Sequence, residues 1–267
     1  MPALRDVGAE PRPGRGQPDH LLVPGLPAVS ARPSHLEPLK RVGHKGADLV
    51  APGNTLDSFA AALKAGVDMI EFDVLRLRDG RLVLAHDFKD AARRDPPTLD
   101  EGLDHFAGEA YAGVELDVDM KLPGYEREVA EGLRQRGLGD RSLVSSTYLG
   151  SLDRLREIAP ELRRGWSIPR ARRDYTRSIV APGAYALMRL IRLVLPRRAG
   201  PMLRDGRLQA IMAHWLLASP RLVEAVHVAG GQLYVWTVDD DRRIERMSEL
   251  GVDGVITNDP RLFGRAT

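Results

Sequence analysis

The chain has 267 residues, 43% of them hydrophobic, with five Phe, six Tyr and three Trp, which is enough for one large core or two small ones. Its 39 basic and 37 acidic residues nearly cancel, so the chain as a whole is a poor general binder of nucleic acid, although residues 163–207 hold many arginines against only Asp174 and Asp205. The absence of cysteine excludes disulfides, thiolate catalysis and cysteine-ligated zinc, and leaves the compartment open.

Residues 1–36 are rich in Pro and Gly and lack a signal-like apolar run, so they are expected to form a disordered or loosely attached arm ahead of a single domain over 37–267. Arg41–His44 then reads as a strand, and Asn54-Thr55 opens a helix reaching Lys64, with Leu56, Phe59, Ala60 and Leu63 on one face. Met69–Leu75 is a second strand; the turn Arg78-Asp79-Gly80 folds Arg81–His86 back as a hairpin arm, and Pro97–Glu101 starts a short helix. Strands over Val114–Asp119, Leu143–Ser145, Arg164–Ile168, Ala210–His214, Leu233–Val238 and Gly254–Thr257 follow. Helices are expected over Glu126–Arg136, Leu152–Ile158, Pro220–Ala229 and Arg242–Leu250. Leaving the arm aside, the count is eight parallel strands, the number that closes a (β/α)8 TIM barrel. A doubly wound open sheet is the runner-up, but no Gly-x-Gly-x-x-Gly follows the first strand. An extended segment around residues 170–207 interrupts the pattern. Its most apolar part, Tyr185–Leu195, is broken by Arg189 and Arg192 and falls short of the roughly 20 residues of a membrane span.

Polar clusters end the apolar runs, which places them at the strand ends of one sheet. On the second strand Glu71 and Asp73 share a face, and on the next Glu115, Asp117 and Asp119 do the same, with Lys121 beyond. Like charges on one face of an apolar strand are unfavourable unless a cation or a lysine lies between them, and oxygen-only donors suit Mg²⁺ or Ca²⁺. His44 and His86 at the same end offer a proton donor and a proton acceptor; Lys45 and Lys121 offer charge for a phosphate, and Gly46 a close backbone approach. Asn54-Thr55 reads equally as a helix cap or a site contact. His214 at a strand end is a candidate pocket residue, whereas His105 and His227, on helices, are expected to be structural.

His44-Lys45-Gly46, Pro52-Gly53-Asn54-Thr55, Glu71-Phe72-Asp73, Asp79-Gly80, His86-Asp87, Asp119-Met120-Lys121, Ser145-Ser146, Trp236-Thr237-Val238 and Gly251–Pro260 occur in the order of the signatures of the glycerophosphodiester phosphodiesterase family, which the chain resembles over roughly residues 40–262. The resemblance implies a TIM barrel and metal-dependent hydrolysis of a glycerophosphodiester to glycerol 3-phosphate and an alcohol. Carried over by position, it implies His44 and His86 as the acid–base pair, Glu71, Asp73 and Asp119 as ligands of a divalent cation, Mg²⁺ or Ca²⁺, and Lys121 as the phosphate-side lysine. Together with the reading of the residues, the candidates are His44, His86 and Lys121 as catalytic, Lys45 and Lys121 as phosphate-binding, and Asn54, Asp117, His214 and Trp236 as pocket residues. Four departures stand out: Lys45 in place of arginine, Gly53 in place of glutamate, Asp119 in place of glutamate, and only some ten residues between His86-Asp87 and Pro97, where the family carries an inserted subdomain. The alternatives are a phospholipase D-like enzyme acting on lysophospholipids, and a non-catalytic barrel that binds phospholipid head groups. Expected partners are a small phosphodiester or lysophospholipid and, through the arginine-rich Tyr175–Arg204, peripheral contact with an anionic membrane; nucleic acid and a transmembrane segment are not expected, and the location is cytoplasmic or peripheral at the membrane.

Overall fold

Alternation along the strands decides the architecture, because most strands turn apolar side chains such as Phe72, Val118 and Val144 toward the helices. The computed structural model describes residues 37–169 and 181–264; the arm expected over 1–36 and residues 170–180 of the arginine-rich segment lie outside them. In chain order the elements are Lys40–Gly43 (β1), Leu56–Lys64 (α1), Met69–Arg76 (β2), Leu82–Leu84 (β3), Phe88–Ala91 (α2), Leu99–Phe106 (α3), Glu115–Met120 (β4) and Glu126–Gln135 (α4). They continue as Ser142–Ser146 (β5), Leu149–Ile158 (α5), Arg163–Ile168 (β6), Ala181–Arg204 (α6), Ala210–His214 (β7), Pro220–Val228 (α7), Gln232–Trp236 (β8), Asp241–Leu250 (α8) and Gly254–Thr257 (β9). β1, β2 and β4 to β9 pair in parallel, and β1 pairs with both β9 and β2, so the ring closes. This is the expected (β/α)8 barrel. β3 lies antiparallel on the upper part of β2, with Val74 opposite Leu84, and is the expected hairpin arm.

Helix boundaries follow local chemistry. Thr55 caps α1 through Ser58, Thr98 and Glu101 form a capping box on α3, Ser219 precedes Pro220 at the start of α7, and Gly251 closes α8 in a left-handed conformation. The extended segment is present as expected and, from Ala181 onward, is a helix of 24 residues that includes Pro196 and Pro201. One boundary needs correction: β8 stops at Trp236 rather than Val238. Among the described residues no helix is long and apolar enough to cross a membrane.

The wall between sheet and helices is the main core, where Phe72 on β2 meets Phe59 of α1 at 5.9 Å and Phe106 of α3 at 5.1 Å between ring centroids. The barrel interior is layered. At the N-terminal end Glu115 takes Lys40 and Arg163, each at 2.5 Å. Above it Val42, Met69, Leu143, Met212, Tyr234 and Ile256 make a small apolar plug. Gly254 leaves room for the Tyr234 ring, which an added Cβ would approach to 2.5 Å. The plug seals the barrel below the charged layer at the C-terminal mouth. Phe72→Ala removes the ring shared by α1 and α3, and is expected to lower stability by about 3–5 kcal/mol; a urea melt within about 1 kcal/mol of the parent would contradict this packing.

Candidate active site

Strand register places the acids. Glu71 lies beside Asp117 and Asp73 beside Asp119 across β2 and β4, so four inward-pointing carboxylates occupy two adjacent levels of one wall. Glu71 is 4% exposed, Asp73 0% and Asp117 1%. The ammonium of Lys121, two residues beyond Asp119, meets Asp73 Oδ1 and lies 2.5 Å from Asp119 Oδ2. Asn54 is buried and uses its whole amide on Asp73: its Nδ2 donates to Asp73 Oδ2 at 2.8 Å and its Oδ1 accepts the Asp73 amide at 2.9 Å. The backbone N–H of Lys45 donates to Glu71 Oε2 at 2.7 Å. Both donors sit on residues with positive φ, +50° at Lys45 and +58° at Asn54, a conformation non-glycine residues adopt only where surrounding contacts hold them.

His44 follows β1 directly. Its Nδ1 is 2.5 Å from Asn258 Oδ1, while Asn258 Nδ2 donates to Asp239 Oδ2 at 2.7 Å. The Asn258 carbonyl therefore faces the imidazole, His44 carries its proton on Nδ1, and its bare Nε2 lies 3.8 Å from Glu71 Oε2. Burial and the charge of Lys45 pull the pKa of His44 down to about 4. His86 stands at the end of the hairpin arm with half of its side chain exposed; its charge helps to hold Asp73 below the ordinary carboxylate range, and its amide donates to Asp90 Oδ2 at 3.1 Å. Asp90 in turn pairs with Arg94, which reaches the carbonyls of Leu84 and Asn54 and ties the arm to the loop after β1.

The electrostatics show a deficit of positive charge. Burial and the carboxylates of Asp73, Asp119 and Asp117 push Glu71 well above its ordinary pKa, against the pull of Lys121. Burial and Asp119 push Asp117 up to about 7. Burial raises Asp73 too, but Lys121, His86 and Lys45 together hold it low. Burial lowers Lys121, yet Asp119, Asp73 and Glu71 keep it well above its usual value. Four carboxylates thus face the two ammonium groups of Lys45 and Lys121. Asp119 Oδ1 and Asp117 Oδ1 are buried with no hydrogen-bond partner among the described residues. Glu71, Asp73 and Asp119 each offer an oxygen within 4.8 Å of the others, so this donor set fits a hard divalent cation such as Mg²⁺ or Ca²⁺.

Each candidate from the sequence has a place here or elsewhere. Trp236 and His214, edge to face at 5.3 Å, line the opposite wall; Trp236 Nε1 donates to the Met212 carbonyl, and His214 Nδ1 accepts from the Leu216 amide. Asn54 is the site contact and Thr55 the helix cap, so the two readings divide between neighbours. Gly46 also has a reason within the fold: its φ is +85°, and an added Cβ would lie 2.5 Å from Ser58 Oγ, so it lets α1 approach. Glu115, on the face of Asp117 and Asp119, belongs to the far end of the barrel. His105 pairs with the Tyr111 hydroxyl and His227 with Asp253, both away from the mouth. Asp239, Asp90 and Arg94 carried no signal, being charged residues in loops or a short helix among several others of the same kind.

A family model described as glycerophosphoryl diester phosphodiesterase matches residues 44–95 and 89–262. The chain belongs to that family. It is a phosphoric diester hydrolase with a metal-binding acidic site. A glycerophosphodiester phosphodiesterase of Caldanaerobacter subterraneus subsp. tengcongensis is 29% identical over 253 residues, 82% of this chain and 93% of that protein. Among solved structures, a glycerophosphodiester phosphodiesterase from Parabacteroides distasonis superposes with a TM-score of 0.65 at 18% identity, over 85% of this chain and 98% of the other. An Oleispira antarctica phosphodiesterase, solved with its product sn-glycerol-3-phosphate, has a TM-score of 0.63 at 22% identity, over 85% and 96%. These two likenesses bear on the fold. In chelator-treated protein, ¹⁵N spectra are expected to show His44 neutral down to about pH 4, because its folded pKa lies below the ordinary histidine value, and as the Nδ1–H tautomer, because Nδ1 faces the Asn258 carbonyl; protonation near pH 6.5 would contradict the enclosure of the ring, and an Nε2–H tautomer would contradict the bond to Asn258.

Proposed function

We propose that this phosphodiesterase hydrolyses a glycerophosphodiester to glycerol 3-phosphate and an alcohol. The observation that carries the reading is the bare Nε2 of His44 beside Glu71, which heads a triad of carboxylates fit for a divalent cation. Glu71, Asp73 and Asp119 would hold the cation, which when bound supplies Lewis-acid neutralisation of phosphoryl charge. Lys45 and Lys121 bring positive charge to the phosphate, and Asn54 and Asn258 fix Asp73 and His44 in orientation.

The proton steps belong to the two histidines. Nε2 of His44 takes a proton from the attacking hydroxyl, water or a neighbouring alcohol of the substrate, as oxygen bonds to phosphorus. His86 gives a proton to the leaving alcohol oxygen as the old P–O bond breaks, and its half exposure lets solvent reload it. Their burial separates the roles: an enclosed, neutral imidazole accepts a proton, while an exposed one exchanges with water.

A second reading, an amphiphilic substrate such as a lysophospholipid, is favoured by the open rim, since only the four-residue α2 and short loops separate His86 from Thr98.

Chelation is expected to abolish hydrolysis of glycerophosphocholine, with Mg²⁺ or Ca²⁺ restoring it, and Glu71→Gln is expected to weaken metal dependence more than Asp117→Asn does. Equal activity of Glu71→Gln and the parent at limiting metal would sink the ligand assignment. His44→Ala and His86→Ala are each expected to lose roughly 10²-fold or more in turnover while staying folded, with His227→Ala near the parent. Retention of most turnover by His86→Ala on a poor leaving group would end its role as the acid.

A further inference from the structure

The exposed apolar side chains of this protein are not scattered. Among the described residues nine large ones are exposed, and eight of them lie on the segments that follow β1, β3 and β6 around the catalytic mouth; Val228, at the end of α7, is the other. Half of the eight are on α6. Helices α1, α3, α4, α5, α7 and α8 have 8 to 10 residues, whereas α6 has 24, about 36 Å at about 1.5 Å per residue. Its C-terminal turns are held to the barrel by Leu195, Ala199 and Leu203, one turn apart and all buried. Toward its N-terminus, which follows the C-terminal end of β6, Leu187, Leu190 and Val194 share one stripe and are 56%, 58% and 42% exposed, with Leu193 at 66% beside them. Arg189, Arg197 and Arg198 are exposed on the same helix, which contains no acidic residue.

Leu49 and Val50 are exposed on the other side of the mouth, four strands round the ring from β6, and Phe88 is exposed beyond the arm that pairs with β2, three strands round. Leucines interspersed with arginines match the two layers of an anionic bilayer surface, acyl carbon below and phosphate above, the arginine stems lying along apolar carbon while their heads stay with phosphate. Apolar groups on both sides of one opening suit a flat partner better than a narrow one.

We propose that the C-terminal face of the barrel docks on an anionic phospholipid surface, with the exposed stripe of α6 inserted at the interface and its arginines on the lipid phosphates. This deepens the phosphodiester reading, on which it rests for its purpose, by bringing the mouth to where membrane-derived phosphodiesters are found. The active-site residues take no part in the contact.

The test is sedimentation of the full chain with vesicles of phosphatidylcholine alone and of phosphatidylcholine and phosphatidylglycerol in equal parts, at low and high salt, alongside hydrolysis of soluble glycerophosphocholine. The anionic vesicles are expected to bind at least about tenfold more tightly, and raised salt to reverse most of that gain. Leu187→Asp/Leu190→Asp is expected to lose about tenfold or more, and Arg197→Gln/Arg198→Gln about fivefold per arginine, with melting temperature and glycerophosphocholine turnover as in the parent. The milder Leu187→Ser/Leu190→Ser serves if the acidic pair unfolds. A parent that stays in the supernatant with anionic vesicles, or a double variant that binds as the parent does, overturns the proposal. So does a concentration-dependent dimer that the leucine variants dissolve without any vesicle binding, since the face then belongs to a second copy. Vesicle binding without hydrolysis would instead leave docking in place and count against the proposed reaction.

Discussion

The mouth of the barrel is organised around four buried carboxylates that the backbone cannot separate. Once β2 and β4 pair in register, Glu71 faces Asp117 and Asp73 faces Asp119, and unpaired burial of so much like charge costs several kcal/mol per ion even after relaxation. The surrounding chain answers with donors. Lys121 bridges Asp73 and Asp119, Asn54 spends both ends of its amide on Asp73, and the Lys45 amide turns toward Glu71. Two of these donors come from residues held at positive φ, so the backbone of the β1–α1 loop is bent to serve the acids. The remaining deficit is what a divalent cation removes, and together with burial it is why Glu71 and Asp117 hold their protons to higher pH than ordinary carboxyl groups.

One strand shows how depth in the barrel changes the meaning of a residue. Glu115, Asp117 and Asp119 follow one another on the inward face of β4. The first is neutralised by Lys40 and Arg163 at the floor, the second is enclosed at the top of the apolar plug, and the third meets Lys121 at the rim. Floor and rim are insulated by Tyr234, Met212 and their neighbours. Charge at the floor holds the strands together; charge at the rim is left to meet a ligand.

Much of this was legible in the sequence because it is periodic. Alternation on β2 and β4 announced the carboxylate face, and repeated strand–helix spacing announced eight strands and the hairpin arm. What escaped has no period. Asp239 and Asn258, which fix the tautomer of His44, come from two loops that only the closed ring brings together; Asn258 stood inside a recognised signature, but nothing local marked it as a partner of His44. Asp90 and Arg94 lie on or beside a four-residue helix too short to show a face. Asn54 and Thr55 have similar capping chemistry, and only the burial of one and the φ of the other separate their roles. The length of α6 was not legible, because its arginines and two prolines break the apolar pattern without breaking the helix.

Positions 45 and 53, where the chain differs from the pattern it resembles, meet at one residue of the same loop, Asp48. Gly53 donates its amide to Asp48 Oδ1 at 2.9 Å, and a Cβ on Gly53 would come within 2.5 Å of that same oxygen and 2.9 Å of Lys45 Cβ. The space where a glutamate at 53 would begin is therefore filled by a carboxylate from Asp48. The other oxygen of Asp48 lies 3.4 Å from the Lys45 ammonium, and Asp48 is one of the acids that keep Lys45 charged despite its burial. A lysine, being a point charge on a flexible stem, can meet a single carboxylate oxygen from many directions, whereas a guanidinium is best matched by two acceptors in its plane. In this loop Asp48 therefore places a carboxylate between the Gly53 amide and the Lys45 ammonium.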